Sequence, residues 1–221
     1  MKKADIIKNT HLFVKDFFVN DASGHDYWHS YRVWRNSKII TKSEKADGLI
    51  VELAALLHDV ADRKFTGGDK SRGVRIISEF LHSCGVNKNI IKHVSLIVSN
   101  MSYSDSFDNG KRISRLTTIE GKVVQDADRL DALGAVGIAR AFAYGGSKGR
   151  AIFNPTVTPA LHRNRSEYIS KTSHTINHFY EKLLLLKDLM NTKTGKEIAS
   201  SRHAFMLKYL KQFYSEWVGK S

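Results

Sequence analysis

Leu53–Phe65 reads LAALLHDVADRKF. An apolar run leads directly into His58-Asp59, and Asp62, Arg63 and Lys64 follow at once. Such a run belongs in a core. An imidazole and a carboxylate at its end cost about 2–7 kcal/mol for the polar group alone unless something pairs with them. A divalent metal ion is a partner of the right chemistry, since imidazole nitrogen plus carboxylate oxygen suits Mn, Fe, Co, Ni or Zn better than Ca. Taken alone, a His-Asp pair also fits a capped helix end with a hydrogen-bonded histidine, so the rest of the chain has to decide.

Outward from this stretch the pattern is helical. Asp47 is placed to cap the helix that begins GLIVEL. Upstream, residues 3–20 carry Ile6, Ile7, Phe13, Val14 and Phe17 at helical spacing, and residues 25–45 form a second helix around Trp28, Val33 and Trp34. Downstream, Gly73–His82 and the segment opened by Asn87 are two more helices. Residues 102–117 are polar and irregular, as in a lid or surface loop. Residues 118–142 read as one long helix with many small residues, 144–160 as a second loop, and roughly 161–190 and 194–218 as two last helices. No alternating strand pattern and no repeat stands out. The expected fold is all-α, one domain over 1–221, with a core at about 20–145 and C-terminal helices at about 161–218 packed on it.

Composition narrows the function classes. With 221 residues, 42% of them apolar, and two prolines, the chain can bury a full core. No stretch of about 18 apolar residues marks a membrane span, and MKKADIIKNT lacks a signal-peptide core, so a cytoplasmic location is expected. The single cysteine, Cys84, excludes an internal disulfide and a Cys-based zinc site. A net charge of +13, from 35 Lys and Arg against 22 Asp and Glu, favours anionic partners without saying which.

Three further side chains join the His58-Asp59 pair. His29 lies in WHSYRVW, with Arg32 one turn on along the same face. Asp128 lies in VVQDADRLDALGA, an apolar, small-residue helix where a carboxylate needs either a metal or an arginine such as Arg129 or Arg140. Asp128 and Asp131 share a face, whereas Asp126 points elsewhere; Asp126 and Asp131 are read as structural, or as carboxylates that fix a histidine tautomer. Asp62 follows Asp59 by three residues. His29, His58, Asp59 and Asp128 together make a two-nitrogen, two-oxygen set that leaves an octahedral metal room for water and a substrate oxygen.

This pattern resembles the metal signature of the HD-domain phosphohydrolase superfamily. WHSYRVW, ALLHDVADRK and DADRLDALGAVGIAR carry the likeness, and NHFYEKLLLLKDLMNTKTGKEIA extends it to the bacterial YedJ/YpgQ-like subgroup, so that it covers nearly the whole chain. The resemblance implies an HD-domain helical bundle holding one divalent metal, manganese first, with Mg, Co, Ni, Fe or Zn as alternatives. It also implies hydrolysis of nucleoside triphosphates to monophosphate and pyrophosphate. His29, His58, Asp59 and Asp128 would be the ligands, and Asp62 would orient or deprotonate the attacking water. Glutamate is commoner at that position, and the shorter aspartate would reach the water less directly. His93 is the only mid-chain candidate for a second metal site, so one metal is expected.

Phosphate charge beyond the metal needs Lys and Arg. Lys64, two residues past Asp62, is the catalytic candidate, and Arg32, one turn from His29, with the pair His178 and Lys182, are the candidates for substrate contacts, each of which is otherwise an ordinary surface charge. A nucleotide is the expected partner, to a monomer or homodimer. Other reactions of the class, on phosphomonoesters, cyclic nucleotides or alarmones, fit the same residues. A basic nucleic-acid-binding protein is the non-enzymatic rival, resting on charge alone, without a helix-turn-helix signature or a basic-aromatic stripe.

Overall fold

The computed structural model describes residues 1–19, 26–61, 69–101, 107–108, 111–112, 115–160 and 173–220. The helices are α1 (Lys3–Phe17), α2 (Tyr27–Thr41), α3 (Gly48–Leu57), α4 (Lys70–Ser83), α5 (Lys88–Ser99), α6 (Ile119–Asp131), α7 (Gly134–Ser147), α8 (Thr175–Glu181) and α9 (Lys193–Trp217). A 3-10 turn over His58–Ala61 follows α3, and another over Leu183–Leu189 follows α8. The fold is all-α. Among the described residues its only β pairing is Phe107–Asp108 against Lys111–Arg112, antiparallel, inside the segment read as a loop. No helix among them is long and apolar enough to cross a membrane.

The centre is α3. Val51, Leu53, Ala54, Ala55, Leu56 and Leu57 are all fully buried, as expected of a helix whose one charged residue is Glu52. Asp47 caps it as its sequence predicts, Oδ1 accepting from the backbone N–H of Leu49 and Ile50 at 2.8 and 3.2 Å. Helices α1, α2, α5 and α6 surround it, and α2 packs on both α3 and α6. The 3-10 turn after α3 is clamped by α4. A Cβ on Gly73 would lie 2.4 Å from the Ala61 Cα, so only glycine lets the two backbones approach so closely.

Two expectations need correction. The stretch 118–142 is not one helix. α6 ends at Asp131, Leu133 is extended, and Gly134 starts α7 with φ +73°, a left-handed conformation natural to glycine. α7 then runs to Ser147, into the stretch read as a loop. The helix expected over 161–190 is also different. Residues 161–172 lie outside the described residues, and α8 stops at Glu181 because Lys182 leaves helical geometry (φ −141°, ψ −57°). The four leucines that follow wind more tightly, and the three-residue period puts Leu183 and Leu186 on one buried side. The last helix matches its expected span closely.

Candidate metal centre

Three elements deliver the predicted ligand set. Asp26 caps α2, and its Oδ1 accepts from the His29 backbone N–H at 2.9 Å, which pins the helix start on which His29 rides. The 3-10 turn presents His58 and Asp59, and α6 presents Asp128. Ligand atoms of His29, His58 and Asp59, all buried, lie within 4.8 Å of one another. Asp128 adds Oδ1 at 3.4 Å from His29 Nε2 and 3.8 Å from His58 Nε2, with its side chain 36% exposed. Asp59 faces the same two nitrogens, Oδ2 at 3.4 Å and Oδ1 at 3.3 Å.

The protons on the two imidazoles follow from their other contacts. His58 Nδ1 donates to the Ala55 carbonyl at 2.9 Å, and His29 Nδ1 donates to Asp131 Oδ2 at 2.7 Å. In the neutral rings both Nε2 atoms are therefore lone pairs. They face each other at 3.1 Å. A proton on His29 Nε2, or a cation between the two nitrogens, satisfies this contact between two carboxylates. The separation also suits two nitrogens each about 2.0–2.1 Å from a shared ion. The donor set thus fits a divalent metal with nitrogen and oxygen preferences.

Electrostatics agrees. Burial works against a charged His29, yet hydrogen bonds with Asp128 and Asp131 outweigh it and raise its pKa to about 9. Burial likewise opposes ionisation of Asp128, but His29 and His58 hold its carboxyl far below the usual range. For Asp131 the same contest, won by His29 and Arg32, brings the pKa down to about 2. This group of carboxylates favours positive charge at His29.

The remaining predicted residues divide. Arg32 is at the site, its Nε donating to Asp131 Oδ1 at 2.7 Å and its NH2 group to Oδ2 at 3.1 Å, with its side chain 33% exposed. Asp62 and Lys64 lie outside the described residues. His178 sits in α8 and Lys182 just past its end, both half-buried, and the described contacts place neither beside the cluster. His93 faces Thr118 Oγ1 at 3.0 Å and Glu120 at 3.7 Å. The arginine partners considered for Asp128 go elsewhere: Arg129 donates to the Leu189 carbonyl and Arg140 to Asp131 Oδ2 at 3.0 Å. Asp131 was expected only as a structural or histidine-orienting carboxylate, and Arg140 only as a partner for Asp128; the two are bonded to each other beside His29. The shared face of Asp128 and Asp131 was a signal for the first; nothing in the spacing paired Arg140 with Asp131.

Known proteins place this geometry in a family. Residues 27–133 match the HD domain, a span that contains all four predicted ligands. The chain is 40% identical to the Bacillus subtilis protein YpgQ over 220 residues, covering 99% of this chain and 97% of that one. It superposes on a Bacillus thuringiensis HD-superfamily hydrolase with a TM-score of 0.77 at 43% identity, covering 99% and 100% of the two chains. A Lactobacillus plantarum protein gives a TM-score of 0.84 at 36% identity, with both chains fully covered. B. subtilis YpgQ solved in complex with ADP gives 0.75 at 36%, over 96% and 98%. The full-length match to YpgQ and the HD domain lying across His29, His58-Asp59 and Asp128 together make the chain a member of the HD-domain superfamily of metal-dependent phosphohydrolases, in its YpgQ-like subgroup.

Proposed function

We propose that the protein hydrolyses nucleoside triphosphates between the α and β phosphates, releasing a monophosphate and pyrophosphate. The observation that carries the metal-dependent part is the convergence of His29 Nε2 and His58 Nε2, 3.1 Å apart, on the carboxylates of Asp59 and Asp128. The nucleotide part is supported by the ADP complex of YpgQ and by the net charge of +13.

His29, His58, Asp59 and Asp128 would hold the ion, with manganese the first expectation. When bound, it supplies Lewis acidity to phosphate oxygen and lowers the pKa of water. The chain's own groups do the rest. Asp62 takes the proton of a water whose oxygen attacks the α-phosphorus. The bond from that phosphorus to the α–β bridging oxygen breaks, and pyrophosphate leaves with the electron pair. Arg32 and Lys64 offset charge on the phosphates, with His178 and Lys182 as further contacts. Arg32 is the best supported of these, because Asp131 holds its guanidinium one turn from His29 with a third of the side chain open to solvent.

The test is turnover of a panel of nucleoside triphosphates with Mn2+, comparing wild type with Asp59→Ala and separating pyrophosphate from free phosphate. Pyrophosphate from wild type alone is the expected result. Free phosphate as sole product, or full activity in Asp59→Ala, would overturn the reading.

A further inference from the structure

Asp131 does more than neutralise an arginine. Its carboxylate, 2% exposed, accepts from three side chains at once. His29 Nδ1 donates at 2.7 Å, Arg32 donates twice at 2.7 and 3.1 Å, and Arg140 NH1 donates at 3.0 Å. Two guanidinium groups already satisfy a buried carboxylate in charge. The third partner is the imidazole whose opposite nitrogen faces His58, Asp59 and Asp128.

We propose that Asp131 is a positioning residue for the metal centre: it holds His29 in the Nδ1–H form with Nε2 aimed at the ion, and Arg32 and Arg140 hold Asp131 in place. The physical reason is the freedom of an imidazole. Without an acceptor at Nδ1 the ring exchanges its proton between two nitrogens and rotates about its side-chain bonds, so only part of the population presents a lone pair at Nε2. A buried anion at Nδ1 selects one form and makes Nε2 a stronger donor to a metal.

The anion in turn has to be fixed. Arg32 comes from α2, one turn beyond His29 itself, so it shares that helix's position. Arg140 comes from another element. On a continuous helix it would lie about 13.5 Å along the axis from Asp131 and on the opposite side, nine residues at 1.5 Å and 100° each. The left-handed Gly134 reverses that geometry and brings Arg140 within 3.0 Å. Two helices that meet at this turn therefore grip the carboxylate from both sides, and the placement of α7 is felt at His29.

The inference rests on the metal reading proposed above, and the experiment separates the two. Mn2+ binding to metal-stripped protein is followed by electron paramagnetic resonance in wild type, His29→Ala, Asp131→Asn and Asp131→Glu, at a temperature where circular dichroism shows each folded. In parallel, long-range 1H–15N spectra of Zn2+-loaded wild type report which nitrogen of His29 carries the proton, the signal being assigned by its loss in His29→Ala. The expected results are an affinity about 10–100-fold weaker in Asp131→Asn, partial recovery in Asp131→Glu, and a proton on Nδ1 of His29 in wild type. A lower melting temperature in Asp131→Asn with an unchanged Mn2+ affinity would reduce Asp131 to a structural ion pair and overturn the proposal. So would a wild-type spectrum with the proton of His29 on Nε2, a result that does not depend on any Asp131 variant folding. Unchanged Mn2+ binding in His29→Ala would instead remove the metal reading itself, and this inference with it.

Discussion

His29 shows how much one side chain can carry. It is 1% exposed, yet Asp59, Asp128 and Asp131 all lie within 3.4 Å of its ring nitrogens. In metal-free protein its pKa of about 9 stands above the unfolded value of about 6.5. The stabilisation from its protonation is therefore fully present below about pH 6.5 and is lost as pH rises through about 9. Thermal melts of chelator-treated protein between pH 6 and 10 should show a falling midpoint over that range, with a shallower fall in His29→Gln. Bound metal reverses the dependence, because proton and ion compete for the same nitrogen. The residues of this cluster were legible in the sequence because each is chemically out of place. A histidine and a carboxylate close an otherwise apolar helix, and aspartates interrupt a helix of small residues. Arg140 was visible only as a candidate partner for Asp128; its bond to Asp131 was hidden, since nine residues of helical spacing put it on the wrong side.

At the scale of elements, turns set the site as much as helices do. Gly134→Ala keeps the helix-forming composition but forces a side chain into the left-handed region, at about 1–2 kcal/mol. The new Cβ also meets the Arg202 side chain at 3.1 Å, a flexible neighbour able to shift. Urea unfolding should register that loss. Asp126 is a second case. Fully buried, it accepts from the backbone N–H of Asn191 and Thr192 at 2.9 and 2.7 Å and from the Thr192 hydroxyl at 2.8 Å. It thereby secures the residue that caps α9. Asp126→Ala strands those donors and should cost about 3–6 kcal/mol, read by the same method, as two lost hydrogen bonds to a charged group at about 1.5–3 kcal/mol each would. The break at Gly134 was not legible because a lone glycine lowers helix propensity by only about 1 kcal/mol. Packing of α7 on α8 and α9 decides the turn, and that packing is absent from any local window. The switch of the Leu183–Leu189 segment to a 3-10 turn has the same origin.

For the molecule as a whole, the all-α architecture was legible throughout, since apolar spacing, caps at Asp47 and Asn87 and scarce proline all pointed the same way. The ligand cluster joins α2, the turn after α3, and α6, so an ion bound there ties three parts of the core together. Mn2+ at about 100 times its dissociation constant should add about 2.7 kcal/mol to folding stability. In a chain of this size that is a rise of about 5–10 °C in the melting midpoint. His58→Ala should abolish the rise, as differential scanning fluorimetry with and without Mn2+ would show.

The bond from His29 to Asp131 spans 102 residues. A ribosome working at about 5–20 residues per second therefore releases the histidine roughly 5–20 s before its carboxylate partner. Over that interval the emerging chain holds His29, and then His58 and Asp59, without α6 to complete the set or to cover the apolar α3. An ion that needs all four side chains would find its set complete only once Asp128 has been made, beyond the midpoint of the 221-residue chain.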